Sequence, residues 1–307
     1  MEKIIIFGVG KNLDYLLQAQ YTAGFDVVAY CDNDIKKQGA FVNGIEVIVP
    51  CKLKDYKFDY IYVSSEKYFN TIRQQLISEF GIPSEVIKCF KLRKYDGEMG
   101  FWKERFKEDG GSFRNEHYRQ LMLGIAQEKD DKFLERKIVA DFGCGPRGSL
   151  MWTDKPLIKL GIDVLAGEYL ENFGRELIRH NMVYVTSSED KIPIPDAFCD
   201  YVFTINSLDH VDHLQQMMQE ILRILKPGGD ILASFNLNEP KTACEPQTLT
   251  EDIIKTQILE SFEIVSYRMA YQEENDAYAN IWKNNFTDII ENNKPGVLWV
   301  RAKKING

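Results

Sequence analysis

Apolar residues Ile4, Ile5, Ile6 and Phe7 form a short run that breaks at Gly8 and Gly10, after which Leu13, Leu16, Leu17 and Tyr21 recur at helical spacing. The pattern reads as strand, tight turn and helix. Runs over residues 26–30, 45–49 and 59–63 predict further strands, and Tyr68, Phe69, Ile72, Leu76, Ile77 and Phe80 predict one face of a helix. Strands alternating with helices imply a parallel sheet. The alternation gives out near Phe90, where Lys91, Arg93 and Lys94 open a polar stretch that runs to Gly111.

The pattern then restarts. A strand at residues 137–142 meets Gly143, Cys144, Gly145, Pro146, Arg147 and Gly148, and strands follow at 157–161, 182–185 and 201–205. Leu214, Met217, Met218, Ile221, Leu222 and Leu225 predict an amphipathic helix, stopped by a turn at Lys226, Pro227, Gly228 and Gly229. The last strands are expected at 231–235, 262–267 and 297–302. The organisation predicted is a small α/β domain over 1–90, linker and lid helices over 91–136, and a second α/β domain over 137–307. A length of 307 residues agrees, at about 150 residues per domain.

Charge narrows the partners. Lys plus Arg number 38 against 46 Asp plus Glu, a net charge of -8, which argues against a surface built for nucleic-acid phosphates or anionic membrane. No apolar run approaches a membrane span, and the start MEKIIIFGVG lacks the apolar core of a signal peptide, so a cytoplasmic location is expected. Cys31, Cys51, Cys89, Cys144, Cys199 and Cys244 are scattered, without a C-x-x-C pair, and are expected as buried free thiols.

Gly143, Gly145 and Gly148 satisfy G-x-G-x-x-G after a strand, a turn whose backbone can approach a ligand closely. Asp141, two residues before the first glycine, narrows the choice. A carboxylate there repels a dinucleotide pyrophosphate and attracts a cationic ammonium, such as that of S-adenosylmethionine. Asp163, 18 residues past Gly145 and just beyond the next strand, is placed to accept hydrogen bonds from ribose hydroxyls.

Asp141-Phe-Gly-Cys-Gly145, Asp163, Ile192-Pro-Ile-Pro-Asp-Ala-Phe-Cys-Asp200 and Leu225-Lys-Pro-Gly-Gly229 together resemble the class I S-adenosylmethionine-dependent methyltransferases, of the type 11-like kind. The resemblance covers roughly residues 100–307 and implies two Rossmann-like domains in all, the second with a seven-stranded sheet. It also implies S-adenosylmethionine as cofactor, with Asp141, Gly143, Cys144, Gly145 and Gly148 under the methionine part and Asp163 on the ribose. Ser188, Glu189 and Asp190 would flank the adenine, with Asn206 also lining the cofactor. The sequence departs from the family at Arg147, where many members carry the glycine that here falls at 148.

The first glycine turn lacks a third glycine, Leu13 standing in its place, yet Asp32 follows the second strand. The segments IIIFGVGKN, AYCDNDIKKQG and NGIEVIVP resemble the small Rossmann-like domain that precedes catalytic domains in bacterial enzymes decorating surface polysaccharides. That resemblance implies a nucleotide-sugar held by Gly8, Gly10 and Asp32; a vestigial domain kept for packing or dimerisation is the alternative.

Methyl transfer to a hydroxyl needs a group to take up a proton. Asn206-Ser-Leu-Asp-His-Val-Asp-His213 follows the fourth strand of the second domain, where open α/β sheets bind ligands. His210 aligns with a histidine common at this place in the family and is the expected base, with Asp209 orienting it; a helix cap is the plainer role. His213 is expected as an exposed helix-start residue, and no metal site is expected. Residues 99–118, with Trp102, Arg105, His117 and Tyr118, mix aromatics and cations as a lid would. An insertion over 271–295, with Tyr278 and Trp282, suits an acceptor pocket or a homodimer contact. The expected function is O-methylation of a sugar or nucleotide-linked sugar in bacterial surface-glycan synthesis. Competing readings are a sensor of S-adenosylmethionine or its product, and an NAD-dependent oxidoreductase, which Asp141 and Leu13 both oppose.

Overall fold

Ile4, Ile5 and Ile6 are each 0% exposed in the computed structural model, as a strand covered on both faces must be. The structure describes residues 1–18, 21–65, 68–90, 94–242, 244–273, 278–291 and 294–305. It divides into two units, Met1–Phe101 and Trp102–Gly307. The sequence-predicted cations Lys91 and Arg93 lie outside the described residues.

In the first unit the strands are β1 (Glu2–Phe7), β2 (Phe25–Cys31), β3 (Phe41–Val42), β4 (Ile45–Ile48), β5 (Tyr60–Val63) and β6 (Ile87–Cys89). They form one sheet in the order β3-β4-β2-β1-β5-β6, parallel except for β3. Ile4 and Ile6 pack with Leu13 and Leu16 of helix α1 (Lys11–Gln18) on one face. Ile5 and Phe7 pack with Leu76 of α2 (Phe69–Phe80) on the other. The period of two in the strand thus sends successive apolar residues to opposite helical layers. Helix α3 (Lys94–Glu108) spans the boundary between the units.

The second unit continues with α4 (His117–Ala126), β7 (Ile138–Phe142), β8 (Ile158–Asp163), α5 (Ala166–Leu177), β9 (Val183–Thr186), β10 (Cys199–Ile205), α6 (Leu214–Ile224) and β11 (Leu225–Leu237). Then come α7 (Glu251–Ile253), which runs into a π-helical turn (Ile254–Ile258), β12 (Phe262–Tyr271), α8 (Ala279–Lys283) and β13 (Gly296–Lys304). The seven strands lie in the order β12-β13-β11-β10-β7-β8-β9, with β13 antiparallel to both neighbours. The chain enters at the centre on β7, winds outward to β9, and returns to the other side of β7 on β10. That reversal opens a crevice at the carboxyl ends of β7 and β10, the place where such sheets bind ligands.

Two details correct the sequence reading. Lys226, Pro227, Gly228 and Gly229 do not form a free turn; they lie within β11, opposite a register shift between Cys199 and Tyr201 of β10. Lys226 donates to the Asp200 carboxylate at 2.9 Å, so this motif ties two strands together. Nor are all the thiols buried. Cys31, Cys144 and Cys199 are, whereas Cys51 is exposed and Cys89 and Cys244 are half-buried.

Helix α4 is fastened across the sheet by arginines. Arg301 on β13 binds Asp230 at 2.7 Å and Glu128 at 2.9 Å and donates to the Ala126 carbonyl, while Arg268 on β12 donates to the Gly124 carbonyl at 2.6 Å. Among the described residues no helix is long and apolar enough to cross a membrane.

Candidate active site

Asp141 stands next to last on β7, 2% exposed, at the floor of the crevice. Its Oδ2 accepts the Ser149 hydroxyl, while its Oδ1 is buried with no hydrogen-bond partner. Burial, with the charge of Asp163 adding to it, pushes the Asp141 carboxyl up to about 7 in spite of the Ser149 bond. A half-ionised acid with a free buried oxygen is poised to accept a cationic donor.

The glycines after it are required by what they touch. A Cβ on Gly143, whose φ is +69°, would lie 2.2 Å from Cβ of Ser207, and one on Gly145, at φ +56°, would lie 2.7 Å from Cζ2 of Trp102. The turn is therefore clasped between the loop after β10 and a ring from α3. Ser207 completes the clasp by donating to the Phe142 carbonyl at 2.8 Å. Cys144 is buried within the turn, and Gly148 lies against the His180 ring.

Asp163 ends β8 and is 8% exposed. Its Oδ2 accepts the Gly145 N–H at 3.0 Å and its Oδ1 the Leu165 N–H at 2.9 Å. The acid expected on a ribose thus also braces the glycine turn. Both of its carboxylate oxygens are engaged by backbone donors. The loop after β9 joins it, Ser187 donating its N–H to the Asp163 carbonyl at 3.2 Å. Ser188 there accepts the N–H groups of Asp190 and Lys191, and Glu189 accepts the N–H of Asp212 at 3.3 Å, which links this loop to the one after β10.

That second loop is the polar one. Asn206, at φ +48°, donates to the Tyr278 hydroxyl at 3.2 Å and accepts from Ser234 at 2.8 Å. Asp209 is 5% exposed, and burial together with the nearby charges of Glu245 and Glu239 raises its carboxyl above the ordinary range against the pull of His210. His210 is half-buried, its Nε2 lying 4.0 Å from Asp209 Oδ1 and 3.8 Å from Glu245 Oε1. His213 is exposed at the start of α6.

The aromatic segment before the sheet packs down over the glycine turn. The Trp102 ring meets Phe113 at 6.1 Å and Tyr169 at 6.5 Å, with the Arg147 guanidinium 6.0 Å from its centre. Arg147 in turn pairs with Asp109 at 3.3 Å. The rings of His117 and Tyr118 lie 4.3 Å apart, and enclosure plus the charge of Asp141 push the Tyr118 hydroxyl up. Burial and the Arg147 charge lower the His117 imidazole. Arg105 pairs with Glu108 at 3.1 Å. From the insertion, Tyr278 is the residue that reaches Asn206. Trp282 packs among α4 residues and lines a hollow of 380 Å³ with Arg119, Leu123 and Ile281. Residues 274–277 and 292–293 of this insertion lie outside the described residues.

The first unit repeats part of this construction. A Cβ on Gly8 would lie 2.5 Å from Ser64 Oγ, as Gly143 abuts Ser207, and Asp32 Oδ2 accepts the Val9 N–H at 2.7 Å, as Asp163 takes that of Gly145. Asp32 also holds Lys37 at 3.2 Å and accepts the Asp34 N–H at 2.8 Å. A Cβ on Gly10 would lie 4.0 Å from the Lys37 ammonium.

Two family descriptions match the chain: "C2185-like, N-terminal" over residues 1–87 and "Methyltransferase domain" over residues 140–233. The latter spans β7 through most of β11, with the glycine turn and both acids. The second unit carries a class I methyltransferase domain. Over 121 residues the chain is 30% identical to a sterol 24-C-methyltransferase of Aspergillus fumigatus, spanning 38% of this chain and 30% of the relative. It is 34% identical over 110 residues to a malonyl-[acyl-carrier protein] O-methyltransferase of Enterobacter lignolyticus, spanning 34% of this chain and 43% of the relative. The chain thus spans less than half the length of these relatives. A solved S-adenosylmethionine-dependent methyltransferase from Aquifex aeolicus is similar at 17% identity and a TM-score of 0.41, covering 63% of this chain and 100% of that one.

S-adenosylmethionine is the cofactor of this domain family, and the methyltransferase site fits it. The unpartnered Asp141 oxygen suits its ammonium, and Asp163 sets a carboxylate at the end of β8, the residue type that a ribose hydroxyl donates to. Ser149, Ser207 and Glu245 escaped the sequence reading. The two serines flank the glycine turn in space through loops of ordinary polar composition, and Glu245 comes from an irregular segment after β11 that carries no periodic signal.

Proposed function

We propose that the chain transfers a methyl group from S-adenosylmethionine to a hydroxyl of a sugar or nucleotide-linked sugar, as a step in bacterial surface-glycan synthesis. The observation that carries the donor half is the buried, unpartnered Oδ1 of Asp141 beneath a glycine turn braced by Asp163. Support for the acceptor half is the first unit, whose glycine turn, braced by Asp32 and set against Ser64, repeats the construction of a nucleotide-binding turn.

When bound, S-adenosylmethionine supplies a methyl group on a positively charged sulfur. Asp141 holds the ammonium, and Asp163 accepts from the ribose. Ser188, Glu189 and Asp190 border the adenine. Trp102 and Phe113 keep water off the turn, which sharpens every charge interaction beneath them. The acceptor enters beside the loop after β10, where His210, with Asp209 behind it, takes up the hydroxyl proton, a contribution of about 10² to 10⁴ in rate. Tyr278 positions Asn206 at the same edge.

The test is incubation with isotope-labelled S-adenosylmethionine and a mixed pool of nucleotide-sugars, read by mass spectrometry. A labelled methyl on a sugar supports the proposal. Donor binding with no labelled sugar would remove the acceptor assignment while leaving the donor site in place.

A further inference from the structure

Asp209 is a costly residue to leave as the proton-handling role leaves it. Its side chain is only 7% exposed and its Oδ1 has no hydrogen-bond partner, an arrangement that proteins keep when a buried carboxylate is paired or binds a cation. The unpartnered oxygen faces His210 Nε2 at 4.0 Å, and a Glu245 carboxylate oxygen lies 3.8 Å from the same nitrogen. Ligand atoms from the three residues all lie within 4.8 Å of one another.

Glu245 is held in this position by its own segment. Thr242 Oγ1 donates to Glu245 Oε2 at 3.0 Å, which leaves Oε1 turned to the histidine. Gln247 then fastens the segment to the loop after β10, donating from its side chain to the carbonyls of Val211 and Asp212 and from its backbone to that of Asp209. A residue needed only for solubility would require none of this anchoring.

We propose that Asp209, His210 and Glu245 bind one divalent transition-metal cation at the end of the crevice where the acceptor enters. One imidazole and two carboxylates favour such an ion over Mg²⁺ or Ca²⁺, which prefer oxygen alone. Neighbouring ligands held at about 2.1 Å from an ion stand about 3.0–3.5 Å apart, so the His210 pairs close by about 1 Å or less and a pair as wide as 4.8 Å closes by about 1.3–1.8 Å on binding. Asp209 is the fixed member. His210 and Glu245, with side chains 34% and 33% exposed, are the ones with room to move. Glu239, whose charge also acts on Asp209, adds to the negative potential. The ion's role rests on the methyl-transfer reading: its remaining positions take the acceptor's hydroxyl oxygen and fix its orientation, and with Nε2 then a ligand the ion takes over the role given to His210 above, lowering the pKa of the bound hydroxyl so that its proton leaves to solvent. Binding itself is independent of that reading.

The full chain, freed of metal with a chelator, is titrated with MnCl₂ while the electron paramagnetic resonance of free Mn²⁺ is followed. The expected result is saturable uptake of a single ion, weakened at least about 10-fold in Glu245→Gln and in Asp209→Asn. S-adenosylhomocysteine affinity, measured by calorimetry on the same samples, stays unchanged and shows that the variants are folded. Failure of the wild type to take up Mn²⁺ or Zn²⁺ at millimolar concentration, or equal uptake by both variants, overturns the proposal. Uptake of the ion without S-adenosylhomocysteine binding would instead leave the metal site standing and remove the methyl-transfer reading.

Discussion

Replacing Asp141 by Asn removes the charge on which donor binding is proposed to turn, and its effect follows from the carboxyl's raised titration near 7. A bound ammonium requires the ionised form. With a midpoint of about 7, the ionised fraction is about 0.09 at pH 6 and about 0.9 at pH 8, so apparent affinity rises about 10-fold between them, equivalent to about 1.4 kcal/mol. The sign for folding is opposite. The folded carboxyl keeps its proton up to about 7 while the unfolded one releases it near 3.8, so stability from this group is full below 3.8 and lost as pH rises through 7. Calorimetric titration with S-adenosylhomocysteine at both pH values, repeated in buffers of different ionisation enthalpy, reads the affinity and the proton released. Asp141→Asn should bind weakly with no pH dependence over this range. A flat wild-type profile, or tighter binding at pH 6, would mean that the Asp141 charge does not hold the ligand.

Three further outcomes are expected. Asp163→Ala strips acceptors from two backbone N–H groups as well as from the ribose, and should weaken S-adenosylhomocysteine by about 1–3 kcal/mol in calorimetry; unchanged affinity would remove it from the site. His210→Ala should lower kcat with donor affinity nearly kept, and an equal loss in both would mark it as packing. Gly145→Ala forces a side chain onto Trp102 at positive φ, and should destabilise the second unit by about 1–3 kcal/mol in denaturant unfolding, with a shift in tryptophan emission; an unchanged midpoint would contradict the clasp described above.

The central strands were legible because both of their faces are covered, which writes an apolar run such as Ile4 to Phe7 directly into the sequence. β3 and β6 were not, being two and three residues long and at sheet edges, where little burial constrains composition. The K-P-G-G segment misled for a different reason: Pro and Gly signal turns, but at the start of β11 the same residues make an irregularity inside a ladder. At the candidate site, the placement of Asp141 and Asp163 at strand ends and of the glycines in the turn after β7 could be read because they sit at fixed offsets from a strand end. What could not be read was where their hydrogen bonds go. Asp163 and Asp32 both spend acceptors on the glycine turn of their own unit, pairings across 18 and 23 residues that no local pattern encodes. Glu245 illustrates the limit most plainly, since only the folding of an irregular loop onto Val211 and Asp212 brings it to His210.

Every outcome above depends on the crevice between β7 and β10 seating the donor. A crystal structure of the chain with S-adenosylhomocysteine should show the ligand's ammonium against Asp141 and its ribose against Asp163, with Trp102 over the glycine turn; density for the ligand at another place, with this crevice closed by protein side chains, would rule out that seat.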